Sequence, residues 1–214
     1  ENPMDFRYTS HVVVDYRLNM SSMESEDRDA ACGNCLRGTV FTPDNKKILI
    51  AKMGGNGIAV IDVVKGEHIG TITGSYTNLR HLVINNGDVF LSSNKFGMVQ
   101  RASLDSILTG EFNESKISVF KNWRSVNVGA GARTIDVTDD GKYIFACINN
   151  ACKVAVVDAA TMKKVFEMDA AAFPVGMSLS PDGKQLVITS QGKTTAPGTG
   201  NTVTVFEVIY ENQQ

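Results

Sequence analysis

No stretch of this chain approaches the roughly 18 consecutive apolar residues that a membrane-spanning helix needs. The opening, led by Glu1, is polar and carries no secretory leader pattern. Basic charge is not in excess. With 21 Lys and Arg against 23 Asp and Glu the net charge is -2, which speaks against a nucleic-acid binder, since such proteins present a basic surface. Histidine is scarce: His11, His68 and His81 are the 3 present, and none stands at metal-ligand spacing from other donors. There is no G-x-S-x-G elbow and no P-loop; the glycine-containing stretches "GSYTN" and "GAGAR" match neither. No metal and no cofactor is expected from these residues.

What the 214 residues do contain is an ordinary globular balance, 43% hydrophobic and 21% charged, enough for a real core. Glycine is frequent at 19 residues and the apolar runs are short, which favours strands and turns over helices. One turn recurs. "FTPDNKKILIAK", "VTDDGKYIFAC" and "LSPDGKQLVITS" place Asp44, Asp140 and Asp182 in the same role, and the weaker "INNGDVFLSS" puts Asn86 there. The markers stand 42, 54 and 42 residues apart (86 − 44, 140 − 86, 182 − 140), so the second interval carries an insertion, placed within 106–129. A second marker agrees: "IAVIDVVKG" and "VAVVDAATM" end strands at Asp62 and Asp158, each 18 residues past its turn (62 − 44, 158 − 140).

Each unit therefore reads as strand, Asp-Gly-type turn, strand, loop, strand, and a weaker fourth strand such as "EHIGTITG" or "KKVFEMDA". Four short strands in about 40 residues mark a β-propeller blade. The strands "KILIA", "KYIFAC" and "QLVITS" are nearly continuous apolar runs, as expected when both faces of a sheet are buried. The predicted fold class is all-β: a β-propeller of four-stranded antiparallel blades, about four blades plus a partial one. The predicted division is 1–34 (partial blade and acidic loop), 35–76, 77–130 with the insertion, 131–172 and 173–214. "SHVVVDYRL" resembles a third strand, with Asp15 in the place of Asp62. That start inside a unit predicts the C-terminal part of a longer toroid; the other reading is a small closed ring of about four blades.

"ARTIDVTDDGKYIFACINNACKVAVVDAATMKKV", "PVGMSLSPDGKQLVITSQGK" and "LRGTVFTPDNKKILIAKMGGNGIAVIDVVKGEHIGTI" resemble the YVTN-repeat β-propellers, and "LRHLVINNGDVFLSSNKFGMVQRASLD" is a degenerate copy. The likeness covers roughly three quarters of the chain. It implies a propeller, usually seven-bladed, at the cell surface or in the periplasm, with lactonase-like relatives. It is a blade motif and says little about chemistry.

In a blade, the loops that lead into strand one and join strands two and three share a face of the disc. That face carries Arg37, Arg80 and Arg133 in three successive units, with Val175 in the fourth. The strand-two to strand-three loops add Lys52, Asn94, Lys95, Asn149, Asn150, Gln191 and Lys193. Arginine forks match carboxylate and phosphate geometry. The ligand-binding candidates are thus Arg37, Arg80, Arg133, Lys52, Asn94, Lys95, Asn150 and Gln191, for an anionic small molecule or an acidic protein partner. The competing role for the arginines is architectural, tying blades together through loop carbonyls. His81 suits packing better than catalysis. The acidic "MESEDRDAACGN" reads as a solvated loop, with calcium the minor alternative.

Cys147 and Cys152 flank "INNA". A two-residue turn at Asn149-Asn150 would set them opposite each other at disulfide distance; two buried thiols are the alternative. "CGNC" at Cys32 to Cys35 has redox spacing, but no helix start to lower a thiol pKa, and reads as a structural loop. The residues thus support an extracytoplasmic binding propeller, with a lactonase-like hydrolase and a surface-protein spacer as alternatives. No catalytic residue can be named.

Overall fold

The computed structural model describes residues 7–14 and 33–210. Among these, strands form four sheets. The first contains β1 (Leu36–Phe41), β2 (Lys47–Lys52), β3 (Ile58–Asp62) and β4 (Glu67–Thr73). The second contains β5 (Leu79–Asn85), β6 (Asp88–Ser93) and β7 (Met98–Ser103), followed after a short helix α1 (Leu104–Leu108) and β8 (Ile117–Val119) by β9 (Arg124–Asn127). The third is β10 (Ala132–Val137), β11 (Tyr143–Ile148), β12 (Lys153–Asp158) and β13 (Lys163–Asp169); the fourth is β14 (Pro174–Leu179), β15 (Gln185–Ser190) and β16 (Thr202–Glu207). Apart from β8, the strands of each sheet run antiparallel in chain order, and the first strands of successive sheets lie side by side. This is the β-propeller arrangement the repeat predicts.

The turns explain why the markers recur. In the third sheet the Thr138 hydroxyl donates to the Asp140 carboxylate at 2.7 Å, and the Lys142 N–H donates to the same carboxylate at 3.0 Å. Gly141 closes the turn with φ +73°. Thr42 with Asp44, and Ser180 with Asp182, repeat the pattern at 2.6 Å each. Short polar side chains that bond their own backbone favour such turns over ladder pairing. The second sheet departs from this: Asn86 and Gly87 alone join β5 to β6, at φ +48° and +79°, the geometry of a two-residue hairpin turn with both central residues left-handed.

Both faces of the middle sheets are buried. Ile144 and Ala146 of β11 pack toward Phe90 and Val99 of the second sheet, while Phe145 and Cys147 pack toward Leu186 and Ile188 of the fourth. Successive side chains of a strand point to opposite faces, so a strand sandwiched between two sheets must be apolar at every position.

Two features were not foreseen. The insertion does not stay with its own sheet: β8 pairs in parallel with β4, so the first sheet gains a fifth strand from the second unit. Thr71 N–H donates to the Lys116 carbonyl at 2.8 Å, and Phe120 N–H to that of Thr73 at 2.9 Å. Gly70 makes room for this approach, since a Cβ there would run into the Lys116 carbonyl and the Phe112 ring. Second, "SHVVVDYRL" is not a third strand where it is described. His11 to Val14 has no ladder, and Val14 packs on Ala59 and Ile61, on the side of the first sheet away from the second. Asp15 and the acidic stretch through Cys32 lie outside the described residues.

Candidate functional site

The site is built from a β-bulge that recurs. Leu36 pairs with Lys52 and Thr39 with Ile50; Leu79 with Ser93 and His81 with Ser92; Ala132 with Ile148 and Ile135 with Ala146; Pro174 with Ser190 and Gly176 with Thr189. Each first strand therefore carries one extra residue just after its start, and Arg37, Arg80, Arg133 and Val175 occupy this stretch in the four sheets. A bulge breaks the ladder locally, twists the strand and re-aims side chains. The three arginines are thus set by one backbone device on neighbouring first strands.

The freed carbonyls at these bulges turn to the preceding sheet. The Ser92 hydroxyl of β6 donates to the Arg133 carbonyl, and the Thr134 hydroxyl of β10 donates to the Val175 carbonyl. Ser92 also accepts the His81 N–H at 3.1 Å and is fully buried. Sequence reading missed Ser92 and Thr134, because a lone hydroxyl in an apolar strand carries no motif. Their effect is to fix the backbone from which the next sheet's bulge residue projects.

Around the arginines the loops behave as the face assignment requires. The strand-two to strand-three loops bond the segments that lead into strand one: Gly54 N–H to the Asn34 carbonyl at 3.0 Å, Asn94 N–H to Asn78 at 3.1 Å, Asn149 N–H to Gly131 at 3.0 Å and Gln191 N–H to Phe173 at 3.1 Å. The candidates then divide. Arg37 is exposed, with its Nε donating to the Met53 sulfur at 3.4 Å; Arg80 and Arg133 are half-buried. Lys95 and Gln191 are exposed. Lys52 is buried, and its ammonium donates outward to Thr71 on β4 at 3.3 Å. Asn94 joins two sheets, its amide donating to the Ala132 carbonyl at 3.2 Å. The carbonyl of exposed Asn150 accepts the Lys193 ammonium of the next sheet at 2.9 Å. The structure thus gathers the three arginines on one device and gives Lys52 and Asn94 architectural contacts.

The disulfide expectation is corrected. Cys147 and Cys152 are both free, because Cys147 pairs with Val154 and Ile148 with Lys153. The turn spans four residues, Asn149 to Cys152, not two. Cys152 closes it at φ +57°, the place held by Gly57 at φ +89° and Gly97 at φ +64° in the first two sheets. Burial pushes the Cys147 thiol up to about 12 against the opposing pull of nearby Arg133, so it is not a nucleophile at neutral pH. Burial likewise lowers the His81 pKa, with Asp136 acting against it. His81 packs beside Gly38 of the neighbouring first strand, as a packing residue would.

Among the described residues no group of three or more His, Cys, Asp and Glu could hold a metal. A cavity of about 930 Å³ lies at the outer side of the first sheet, lined by Lys52, His68, Thr71 and Lys116 among others, and includes none of the arginines. A smaller one of about 340 Å³ lies beside Asp88, Arg101 and Arg124.

No family model and no curated protein matches this chain. Solved structures do. Hydrazine synthase of Kuenenia stuttgartiensis aligns over 82% of this chain and 47% of its own, at 16% identity and a TM-score of 0.64. A candidate 6-phosphogluconolactonase of Bacteroides uniformis aligns over 80% and 50%, at 19% identity and a TM-score of 0.60. A second candidate 6-phosphogluconolactonase, from Bacteroides fragilis, aligns over 80% and 50% at 20% identity and a TM-score of 0.55. The chain spans about half the length of these neighbours. At such identities the likeness shows the fold alone: a β-propeller architecture.

Proposed function

We propose that this propeller is a binding module whose loop face holds an anionic small molecule or an acidic protein partner through Arg37, Arg80 and Arg133. One observation carries the reading: the same bulge recurs in four successive sheets, with arginine in it three times. Guanidinium forks suit carboxylates and phosphates, and bulges often re-aim side chains beside functional sites. Exposed Lys95 and Gln191 flank that face. The YVTN-repeat assignment, a place toward the C-terminal end of a seven-bladed ring, and a periplasmic or cell-surface location belong to the same reading and rest on the repeat resemblance. The Cys147 and Cys152 thiols supply no argument for an oxidising compartment. A spacer role in a surface protein is what remains if no ligand binds.

A second reading is favoured by one observation, the likeness to two candidate 6-phosphogluconolactonases. Lactone hydrolysis needs a polarising cation and a base or activated water. The arginines would polarise the carbonyl; no base is assigned.

Titration calorimetry with 6-phosphogluconate, which offers both a carboxylate and a phosphate, tests the two together. Binding is expected to saturate, to weaken with added salt, and to vanish in R37E/R133E. Unchanged binding in that double variant places the site elsewhere. Turnover of a lactone panel that disappears in R133A would favour the hydrolase.

A further inference from the structure

The second sheet departs from the repeat most at the end away from its bulge. Asp88 follows the Asn86-Gly87 turn and pairs with Ser103, whereas Arg80 lies beside Leu79, which pairs with Ser93 at the far end of β6. At the Asp88 end the neighbouring sheets close with four residues: 63–66 join β3 to β4, and 159–162 join β12 to β13. In the second sheet residues 104–123 take that place. Ser106, Phe120 and Asn122 of this insertion wall the cavity of about 340 Å³ beside Arg101 and Arg124. A four-residue turn has no counterpart to these walls. The volume falls in the lower part of the range for small-molecule sites.

Arg101 and Arg124 stand directly opposite each other on β7 and β9. Side chains so placed share one face of a sheet, and like charges there repel. The corresponding pairs are Val60 with Gly70 in the first sheet and Val156 with Phe166 in the third. Both guanidiniums reach toward the third sheet, Arg101 to the Ala159 carbonyl and Arg124 to that of Ala160 at 2.7 Å. Asp88 accepts from Nε and Nη2 of Arg101 and so neutralises one of the two. Among the described residues no carboxylate forms an ion pair with Arg124. Asp158 is engaged elsewhere, accepting the Thr161 N–H and hydroxyl at 2.6 and 2.7 Å. A guanidinium carries five N–H donors, and the Ala160 carbonyl takes one. Packing between the sheets does not call for the second arginine, since an apolar pair holds the same place in the third sheet.

We propose that this cavity binds a small phosphate monoester. The phosphate lies against Arg101 and Arg124, where its charge offsets their repulsion and the Arg124 fork offers paired donors. Ser103 and Ser106 supply hydroxyls and Asn122 an amide for the remaining oxygens. Phe120 gives an apolar wall to the organic body, and the cavity is larger than a bare phosphate fills. The site lies at the opposite end of the sheet from Arg80 and does not depend on the reading of the bulge arginines.

Trp123, the single tryptophan of the chain, packs edge-on against Phe120 with ring centroids 5.4 Å apart. Its emission therefore reports on this cavity. Phenyl phosphate is titrated into the 214-residue chain while that emission is followed. A saturable change is expected, weakening with added salt. R124A should weaken binding by roughly tenfold or more, the worth of one or two charge-assisted hydrogen bonds. R124K keeps the charge but loses the fork, and should weaken it by less. R37E/R133E should titrate like the native chain. No saturable change, or native affinity in R124A, refutes the site; if R124A fails to fold, native affinity in R124K does so. A signal lost in R37E/R133E but kept in R124A would belong to the opposite face and equally overturn the proposal. Inorganic phosphate should bind roughly tenfold more weakly than phenyl phosphate, because it buries no ring. Equal affinity for the two would overturn the assignment to an ester.

Discussion

The second and third sheets are built on one plan with different residues. Both pair strands in the same order and both carry the bulged arginine, yet the second has lost most of the repeat's markers. Asn86-Gly87 replaces the longer Thr138 to Lys142 turn. Ser103 stands where Asp158 stands in the third sheet, and does the same work: Asp158 accepts the Thr161 N–H at 2.6 Å, and Ser103 accepts that of Ser106 at 3.4 Å as the cap of α1. Arg101 replaces the buried Val156. Its guanidinium turns back to Asp88, with Nε at 3.0 Å, and bridges to the Ala159 carbonyl of the third sheet. Register and bulge are what the architecture holds constant; a side chain can change wherever another supplies the same hydrogen bond.

That comparison can be broken at one backbone position. Gly97 and Cys152 share a left-handed conformation at the end of the same loop. A Cβ on Gly97 would run into the Gly129 carbonyl. G97A should therefore cost on the order of 3 kcal/mol, from backbone strain plus the clash, in a urea unfolding titration. A loss under a tenth of that would show that the two loops are not equivalent.

R101V gives the second sheet the residue of the third. It strips the half-buried Asp88 of its partner, and a loss of about 1–3 kcal/mol is expected. D88N in the same background should recover part of it, since a neutral amide needs no counter-charge. No recovery would assign the loss to the Ala159 contact instead.

C152G runs the other way. It replaces a strained left-handed residue by the one the first two sheets use, and should stabilise by about 0.5–1 kcal/mol after the entropy cost of glycine. The smallest effect lies at the edge of the third sheet. Lys153 and Lys164 both bond the Glu167 carboxylate, at 2.6 and 2.8 Å, and hold its pKa down to about 2 from 4.5. A depressed carboxylate stabilises the fold above its unfolded pKa and loses that contribution as pH falls. E167Q should therefore flatten the pH dependence of stability between about 4.5 and about 2, with little change at neutral pH. Both lysines are partly exposed, so the effect is modest and falls with salt.

The fold was legible because its turn chemistry repeats: Asp44, Asp140 and Asp182 bond the same neighbours in space as in sequence. The recurrence of Arg37, Arg80 and Arg133 was visible too, but the bulge behind it was not, since an extra residue in a strand leaves no mark until the partner strand is known. The disulfide failed for a related reason. "INNA" does not say whether two or four residues make the turn, and only the left-handed Cys152 settles that it is four. β8 was out of reach because three residues, Ile117–Val119, carry no periodicity. Asn94 lies on the expected loop while Lys52 is the last residue of β2, and in neither case does chain position reveal where the side chain bonds.

The crossing of β8 onto β4 changes how the first two sheets come apart. Elsewhere neighbouring sheets meet mainly through side chains, so each is a separable unit whose opening need disturb only its neighbours. Main-chain bonds from Lys116 and Phe120 to Thr71 and Thr73 remove that independence at one junction. The first and second sheets should behave as one foldon, opening together under denaturant or pulling force, with the third and fourth free to open before them.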